Sequence, residues 1–442
     1  MKKAIFLFTL LQIIFITNTF SQFSSPNLID TNSINITSII TADINNDNFK
    51  DIIVTRKISA SIISYYLNQG DLTFGPETII EPGNNLFTKI ATGDFNNDGW
   101  IDIVSIGDAT NSVIVYTNDA TTFTATTLDN FEFFDSDIQV ADIDNDTDLD
   151  IIAIGGTTLN IYYNDGLSNF TSQTITGPIE DFFDLTIKDI DGDGFKDIIT
   201  GGSIISVYKN TNGIISYDAI RSSLIPSTLN LFVTLADLDN DGDFDLFSEA
   251  DSSTGIRWME NDGNGNFSNL QMIDANPNTR YGATIKDFDN DGDLDIIIPK
   301  DFNFVLYTND GLGNFSPPSI IQQGIPNGIS VLHSEDINND GLFDAIWSAD
   351  LSFQLNTSTL SVIDPEMDEV FKLYPNPASN QFSITIKNSG ILTIHNALGQ
   401  VVHKNIKLVE GNNNLEFNLK PQLYFLTIQS QNNKILKKLL IE

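Results

Sequence analysis

The residues best suited to chemistry are aspartates, and they recur at fixed spacing. Seven nine-residue stretches fit D-x-[DN]-x-D-G-x-x-D or depart from it at the sixth position alone. Their polar ligand candidates at positions 1, 3, 5 and 9 are Asp43, Asn45, Asp47 and Asp51, then Asp94, Asn96, Asp98 and Asp102. The third and fourth sets are Asp142, Asp144, Asp146, Asp150 and Asp189, Asp191, Asp193, Asp197. The fifth and sixth are Asp237, Asp239, Asp241, Asp245 and Asp287, Asp289, Asp291, Asp295. The seventh is Asp336, Asn338, Asp340 and Asp344. In a tight loop, positions 1, 3 and 5 turn inward, position 7 offers a carbonyl, and position 9 returns a carboxylate from the next strand. That oxygen-only set suits a hard cation such as Ca²⁺, so up to seven calcium ions are expected.

Position 6 needs a sharp turn. It is Gly99, Gly194, Gly242, Gly292 or Gly341 in five loops and Asn48 in the first, both tolerant of positive φ. In the third it is Thr147, whose β-branch suits that conformation poorly. Position 2 is always apolar (Ile44, Phe95, Ile143, Ile190, Leu238, Phe288, Ile337), which bolts each loop to a core. The flanking elements read as strands and no Glu stands at position 12, so these are not EF-hands. Four carboxylates in loops three to six, against three plus an Asn in loops one, two and seven, predict the tightest binding in loops four, five and six. A dissociation constant of about 10⁻⁴ to 10⁻³ M is typical of extracellular calcium modules. Ordinary solvated Asp/Asn/Gly turns would explain one such loop; seven in register, each with apolar anchors, call for more.

The 442-residue chain carries a formal net charge of −37, which excludes the basic surface a nucleic-acid binder needs. The seven loops hold 28 of its 59 acidic residues, so the charge is concentrated rather than spread as in a disordered acidic tail. Seven divalent ions would offset fourteen of those charges. The absence of cysteine rules out disulfides, thiolate sites and a lipidated cysteine. The N-terminus places Lys2 and Lys3 before an apolar run, with Thr19 and Ser21 at −3 and −1 of a cut before Gln22. This reads as a signal peptide over residues 1–21, the run being too short for a membrane span. No later stretch is long and apolar enough to span.

The first aspartates of successive loops lie 51, 48, 47, 48, 50 and 49 residues apart. Each repeat has an alternating segment, the loop, an apolar run such as DIIV, a β-rich segment ending in Asn, and then a turn of the NDGxxNF kind in several repeats. Asn-Asp-Gly supplies hairpin geometry. The period and content predict one four-stranded propeller blade per repeat, seven in all, over residues 22–363, with no sustained helix. The seventh repeat stops after FQLN without a fourth strand. QFSSPNLI at the N-terminus resembles NFSPPSII, the fourth strand of the sixth repeat. The N-terminal strand is therefore expected to complete the last blade, leaving no open sheet edge.

On these loops the chain resembles the FG-GAP/VCBS repeat family, the calcium-loop propellers related to the integrin α-subunit head. The resemblance implies an all-β, seven-bladed β-propeller with calcium loops on one face and ligands taken by loops of the other. After a linker over residues 364–372, residues 373–442 alternate in apolar character between PNP, LGQ and GNNN turns, as in a small Ig-like β-sandwich. From Val370 to Glu442 there are eight Lys and three Glu, opposite in sign to the propeller. Tyr374-Pro375-Asn376-Pro377-Ala378, Asn396-Ala397-Leu398-Gly399-Gln400 and Leu423-Tyr424 resemble the type IX secretion C-terminal sorting domain (type A), with Gln422 where that family usually has Gly. The resemblance implies the type IX machinery as a partner, export across the outer membrane, and a secreted or cell-surface location.

An enzyme has little to build on. The propeller's one histidine is His333, and nearly all its carboxylate pairs sit in the loops. A polysaccharide-lyase reading would recruit Arg280 and Tyr281, or Arg257 and Trp258. The preferred reading is a monomeric adhesion or binding module for glycan or protein ligands, presenting loops at residues 108–113 and 131–137. Phe131, Phe133, Phe134, Phe182 and Phe183 are its candidate contact surface, unless they pack between strands.

Overall fold

A computed structural model describes residues 22–31, 35–57, 61–81, 87–107, 112–130, 137–178, 182–225, 230–250, 255–275, 282–324, 331–348 and 350–357 of the repeat region. In the C-terminal region it describes residues 371–374, 378, 381–386, 389–396, 401–417, 419–420, 422–430 and 433–441. The signal-peptide reading, both proposed contact loops except Ser112, Val113 and Asp137, and Arg280 and Tyr281 fall outside these residues, as do the 364–370 stretch of the linker, Pro375–Pro377 and Ala397–Gln400. The chain divides into two compact units, Met1–Ser358 and Thr359–Glu442.

Among its described residues the first unit is all-β apart from one short helix. It holds seven four-stranded antiparallel sheets. The first sheet runs in chain order through Ile36–Ala42, Asp51–Lys57, Ser61–Tyr66 and Thr78–Glu81. The next five repeat this order, opening with Phe87–Gly93, Asp137–Ala141, Phe182–Lys188, Asn230–Ala236 and Thr284–Lys286. The seventh takes Leu332–Glu335, Asp344–Trp347 and Ser352–Gln354 from the end of the region and Asn27–Leu28 from its beginning. Asn27 pairs with Phe353 and Leu28 with Ser352, and Phe23 bridges to Asn356. The N-terminal segment thus supplies the missing fourth strand.

Why the second strand of each repeat is an unbroken apolar run follows from the packing. Asp102–Gly107, Asp150–Gly155, Asp197–Gly202 and Asp295–Lys300 are buried at every position, because neighbouring sheets cover both faces. Seven apolar clusters lie between sheets, each drawing from two neighbours. One joins Ile44, Ile53 and Ile63 to Ile90, Ile103 and Tyr116. Another joins Ile39, Ile52 and Val54 of the first sheet to Ile337, Ile346 and Phe353 of the seventh, so the last sheet packs against the first. Fully burying one such side chain stabilises by roughly 1.5–3 kcal/mol. Fourth strands face solvent, as in Phe170–Ile175 and Phe267–Asp274. The hairpin Phe170 stacks edge-on against Phe95 of the preceding sheet, at 5.8 Å between centroids, so it seals a junction between sheets. Phe182 is buried and packs edge-on against Tyr208, which makes it core rather than contact surface; Phe183 is half-buried.

One departure from the all-strand expectation is the helix Ala219–Leu224. At six residues it is too short to show helical periodicity. Asp218 caps it by accepting from the N–H groups of Ile220 and Arg221, and the Ser222 hydroxyl accepts from Val207 N at 2.9 Å, tying it to the fourth sheet.

In the second unit, a three-stranded sheet of Phe371–Tyr374, Gln381–Ile386 and Gly411–Glu416 stands beside a four-stranded one of Val401–Leu408, Gly390–Asn396, Gln422–Ser430 and Asn433–Ile441. Phe382, Ile384 and Ile386 from the first and Leu392, Ile394, Tyr424, Leu426 and Leu439 from the second share one core. Tyr424 donates its hydroxyl to Lys420 O at 3.0 Å. No helix among the described residues is long and apolar enough to cross a membrane.

Candidate metal centres

Each acidic loop links the first and second strands of its sheet, and backbone bonds shape it before any ion is considered. The position-1 carboxylate accepts the N–H of position 6 in all seven: Asn48 to Asp43 at 2.7 Å, Gly99 to Asp94 at 2.8 Å, Thr147 to Asp142 at 3.2 Å, Gly194 to Asp189 at 2.8 Å. Gly242 to Asp237 at 3.1 Å, Gly292 to Asp287 at 3.0 Å and Gly341 to Asp336 at 2.8 Å complete the set. Position 6 has positive φ throughout, and Thr147 adopts it too, at 84°. Position 4 shares this conformation, which the sequence reading did not single out. Asn46, Asn97, Asn145, Asn240, Asn290 and Asn339 have φ from 57° to 64°, and Gly192 has 71°. The signal was visible, since position 4 is Asn or Gly in every loop.

Position 9 is the buried post of the loop. Asp51, Asp102, Asp150, Asp197, Asp245, Asp295 and Asp344 are all fully buried. One oxygen accepts the N–H of position 2, as from Ile44 to Asp51 at 3.1 Å, and the other accepts the N–H of the Asn ending the third strand, as from Asn68 to Asp51 at 2.8 Å. Burial pushes these carboxyls up, against those bonds, to about 6 for Asp51, Asp102, Asp150 and Asp197 and about 7 for Asp245, Asp295 and Asp344. A carboxylate oxygen has a second lone pair, so each can still face an ion.

The strand-ending Asn does more than punctuate. Its side-chain N–H reaches position 2 of the preceding loop in all seven sheets. Asn68 donates to Ile337 O, Asn118 to Ile44 O, Asn164 to Phe95 O and Asn210 to Ile143 O. Asn261 donates to Ile190 O, Asn309 to Leu238 O and Asn356 to Phe288 O, and the seven distances run from 2.7 to 3.0 Å. Position-4 amides add links to the next loop: Asn46 to Gly99 O, Asn97 to Asp148, Asn145 to Gly194 O, Asn240 to Asp293 and Asn339 to Asn48 O.

Acids converge most closely in loops three to six. Within each of Asp142/Asp144/Asp146, Asp189/Asp191/Asp197, Asp237/Asp239/Asp245 and Asp287/Asp289/Asp291, ligand oxygens lie within 4.8 Å of one another. Burial and the Asp291 charge raise Asp289 to about 6. Loops one, two and seven relieve the repulsion internally: Asn45, Asn96 and Asn338 each donate Nδ2 to the position-5 Asp, at 2.9, 3.0 and 2.9 Å. Such oxygen-only donor sets match the needs of a hard divalent cation. Loop four differs. The Lys209 ammonium stands among its acids, 2.6 Å from Asp191 Oδ1, 2.8 Å from Asp193 Oδ2 and 3.3 Å from Asp197 Oδ1. Burial opposes its charge, but the bonds to Asp191 and Asp193 win and push it to about 12.

Of the described groups weighed for catalysis, Arg257 and Trp258 are buried and His333 is half-buried. His333 Nε2 lies 2.9 Å from Thr41 Oγ1, and burial, with the Lys286 charge, lowers the imidazole to about 4. Arg257 and Trp258 are buried, with Arg257 Nε donating to Ser248 Oγ at 3.1 Å.

The loops and sheets define a repeat protein of four-stranded antiparallel sheets, each carrying an acidic loop between its first two strands. The FG-GAP-like repeat matches at residues 43–105, 94–153, 142–200, 237–298 and 287–347, and the chain belongs to that family. Residues 372–442 match the secretion system C-terminal sorting domain, which marks the chain for export to the cell surface or the medium. No curated protein sequence is significantly similar. Among solved structures, the fold is similar to that of an Agrocybe aegerita lectin described for specific recognition of non-reducing terminal N-acetylglucosamine. That match has 20% identity and a TM-score of 0.50, covering 64% of this chain and 80% of that one. It is also similar to BBS1N in complex with ARL6DN, in lead- and mercury-soaked crystals, at 11% and 12% identity with TM-scores of 0.53 and 0.55, covering 77% of this chain and 99% of those. At such identities the likeness concerns the fold alone.

Proposed function

We propose that the chain is a closed seven-bladed β-propeller, stiffened by calcium and followed by an Ig-like sorting domain, and that it binds glycan or protein ligands outside the cell. The single observation that carries this reading is the set of seven equivalent acidic loops, each pinned by a buried Asp and bonded to its neighbours. Such a ring is a rigid platform, and rigid scaffolds carrying variable loops are suited to recognition. Asp142, Asp144 and Asp146, with their counterparts in loops five and six, would hold the ion; loops one, two and seven would add the side-chain oxygens of Asn45, Asn96 and Asn338. Bound Ca²⁺ would supply positive charge that offsets repulsion between converging carboxylates. The type IX secretion machinery is the partner implied by the tail. A binding role fits better than catalysis because Arg257 and Trp258 are buried rather than presented to a substrate, and the half-buried His333 is engaged with Thr41.

The similar lectin fold makes glycans the first ligands to try. A glycan array probed with the full chain in millimolar Ca²⁺ and in chelator tests the proposal. Calcium-dependent binding to a defined glycan set is expected; an array blank in both conditions, with no binding to extracellular proteins on a matching protein array, sinks it.

A further inference from the structure

We infer that the fourth loop carries its own cation, the Lys209 ammonium, and takes no calcium. The inference rests on the calcium reading of the other loops and departs from it at one site. By ligand count this loop should be among the best, with Asp189, Asp191, Asp193 and Asp197 all present. Yet the three N–H donors of Lys209 have three carboxylates around them, at positions 3, 5 and 9 of the loop, within 2.6 to 3.3 Å. Those are the oxygens an ion would need, and Lys209 is only 15% exposed at its side chain, so it is packed in place.

The residue before the strand-ending Asn is Leu67, Thr117, Tyr163, Glu260, Thr308 and Leu355 in the other sheets; only the fourth puts a cation there. A second difference accompanies it. Position 4 of this loop is Gly192, so it lacks the Asn amide that reaches the next loop in five of the other six. Arg221 bridges instead, donating Nη2 to Asn264 O at 2.7 Å in the fifth sheet's hairpin while lying 3.5 Å from Asp191. The fourth loop is thus rebuilt around two side-chain cations. A divalent ion entering it would have to expel a paired ammonium and share the site with a guanidinium, a repulsive arrangement at this range.

Calcium counting on the full chain at saturating Ca²⁺, by equilibrium dialysis and atomic emission, tests this. Lys209→Thr and Lys209→Met are each expected to bind one more Ca²⁺ per chain than the wild type; equal counts above zero overturn the inference. Thr308→Lys, which plants the same cation beside the sixth loop, is expected to bind one fewer. A second arm needs no metal. In chelator, Lys209→Thr is expected to melt several degrees below the wild type, and equal melting overturns the inference. Should no variant bind calcium, the calcium reading of the other loops fails, and the melting comparison alone decides for or against Lys209.

Discussion

Asn68 donates its side-chain N–H to the carbonyl oxygen of Ile337, 2.8 Å away in space and 269 residues along the chain. The bond joins the first sheet to the last and repeats the one every other sheet makes to its predecessor. Replacing Asn68 with Ala leaves that buried carbonyl short of a partner, which costs about 1–3 kcal/mol. Denaturant unfolding in Ca²⁺ should show a lower midpoint for Asn68→Ala and a similar loss for Asn164→Ala. An unchanged midpoint in both would remove these amides from the account of stability.

Calcium should raise the melting temperature. A ligand bound only to the folded state stabilises by about 2.7 kcal/mol per site at a hundredfold excess over its dissociation constant. Chelated protein should therefore melt well below protein in millimolar Ca²⁺, and Asp289→Ala, in the converging sixth loop, should blunt the response. Identical melting curves with and without the ion would contradict the metal assignment.

Thr147 holds φ at 84°, where a β-branched residue is strained. Thr147→Gly should relieve that strain and stabilise the protein by about 1 kcal/mol, the lower end of the left-handed penalty. Thr147→Asn should act in the same direction by less. Differential scanning calorimetry of the three proteins checks the order.

His333 should make stability fall at mildly acidic pH. Its folded-state value is lowered to about 4, below the roughly 6.5 of a free imidazole. The unfolded chain therefore binds more protons between those values, so stability is fully present above about 6.5 and is lost as pH falls toward 4. Subtracting the pH profile of His333→Gln from that of the wild type should isolate this slope. A flat difference between pH 4 and 6.5 would show that the imidazole stays protonated in the fold.

Much of this architecture was legible in the sequence because its signals are local. Nine-residue spacing revealed the loops, Ile runs revealed the doubly covered second strands, and QFSSPNLI revealed the strand that completes the last sheet. What stayed hidden depends on partners remote in sequence. The Asn that ends each third strand was visible as a pattern, but its acceptor in the preceding sheet was not. Four acids made the fourth loop look as ready for a metal as the fifth and sixth, whereas Lys209, a dozen residues downstream of Asp197, reaches back into it. The helix Ala219–Leu224 rests on the Asp218 cap and the Ser222 bond to the sheet, which periodicity does not register.

The pairing of Asn27 and Leu28 with Ser352 and Phe353 also sets a timetable. The opening segment of the repeat region has no place to dock until the final repeat has been delivered, so closure is the last event in assembly rather than the first. A chain emerging start-first would hold that segment undocked until its last repeat follows.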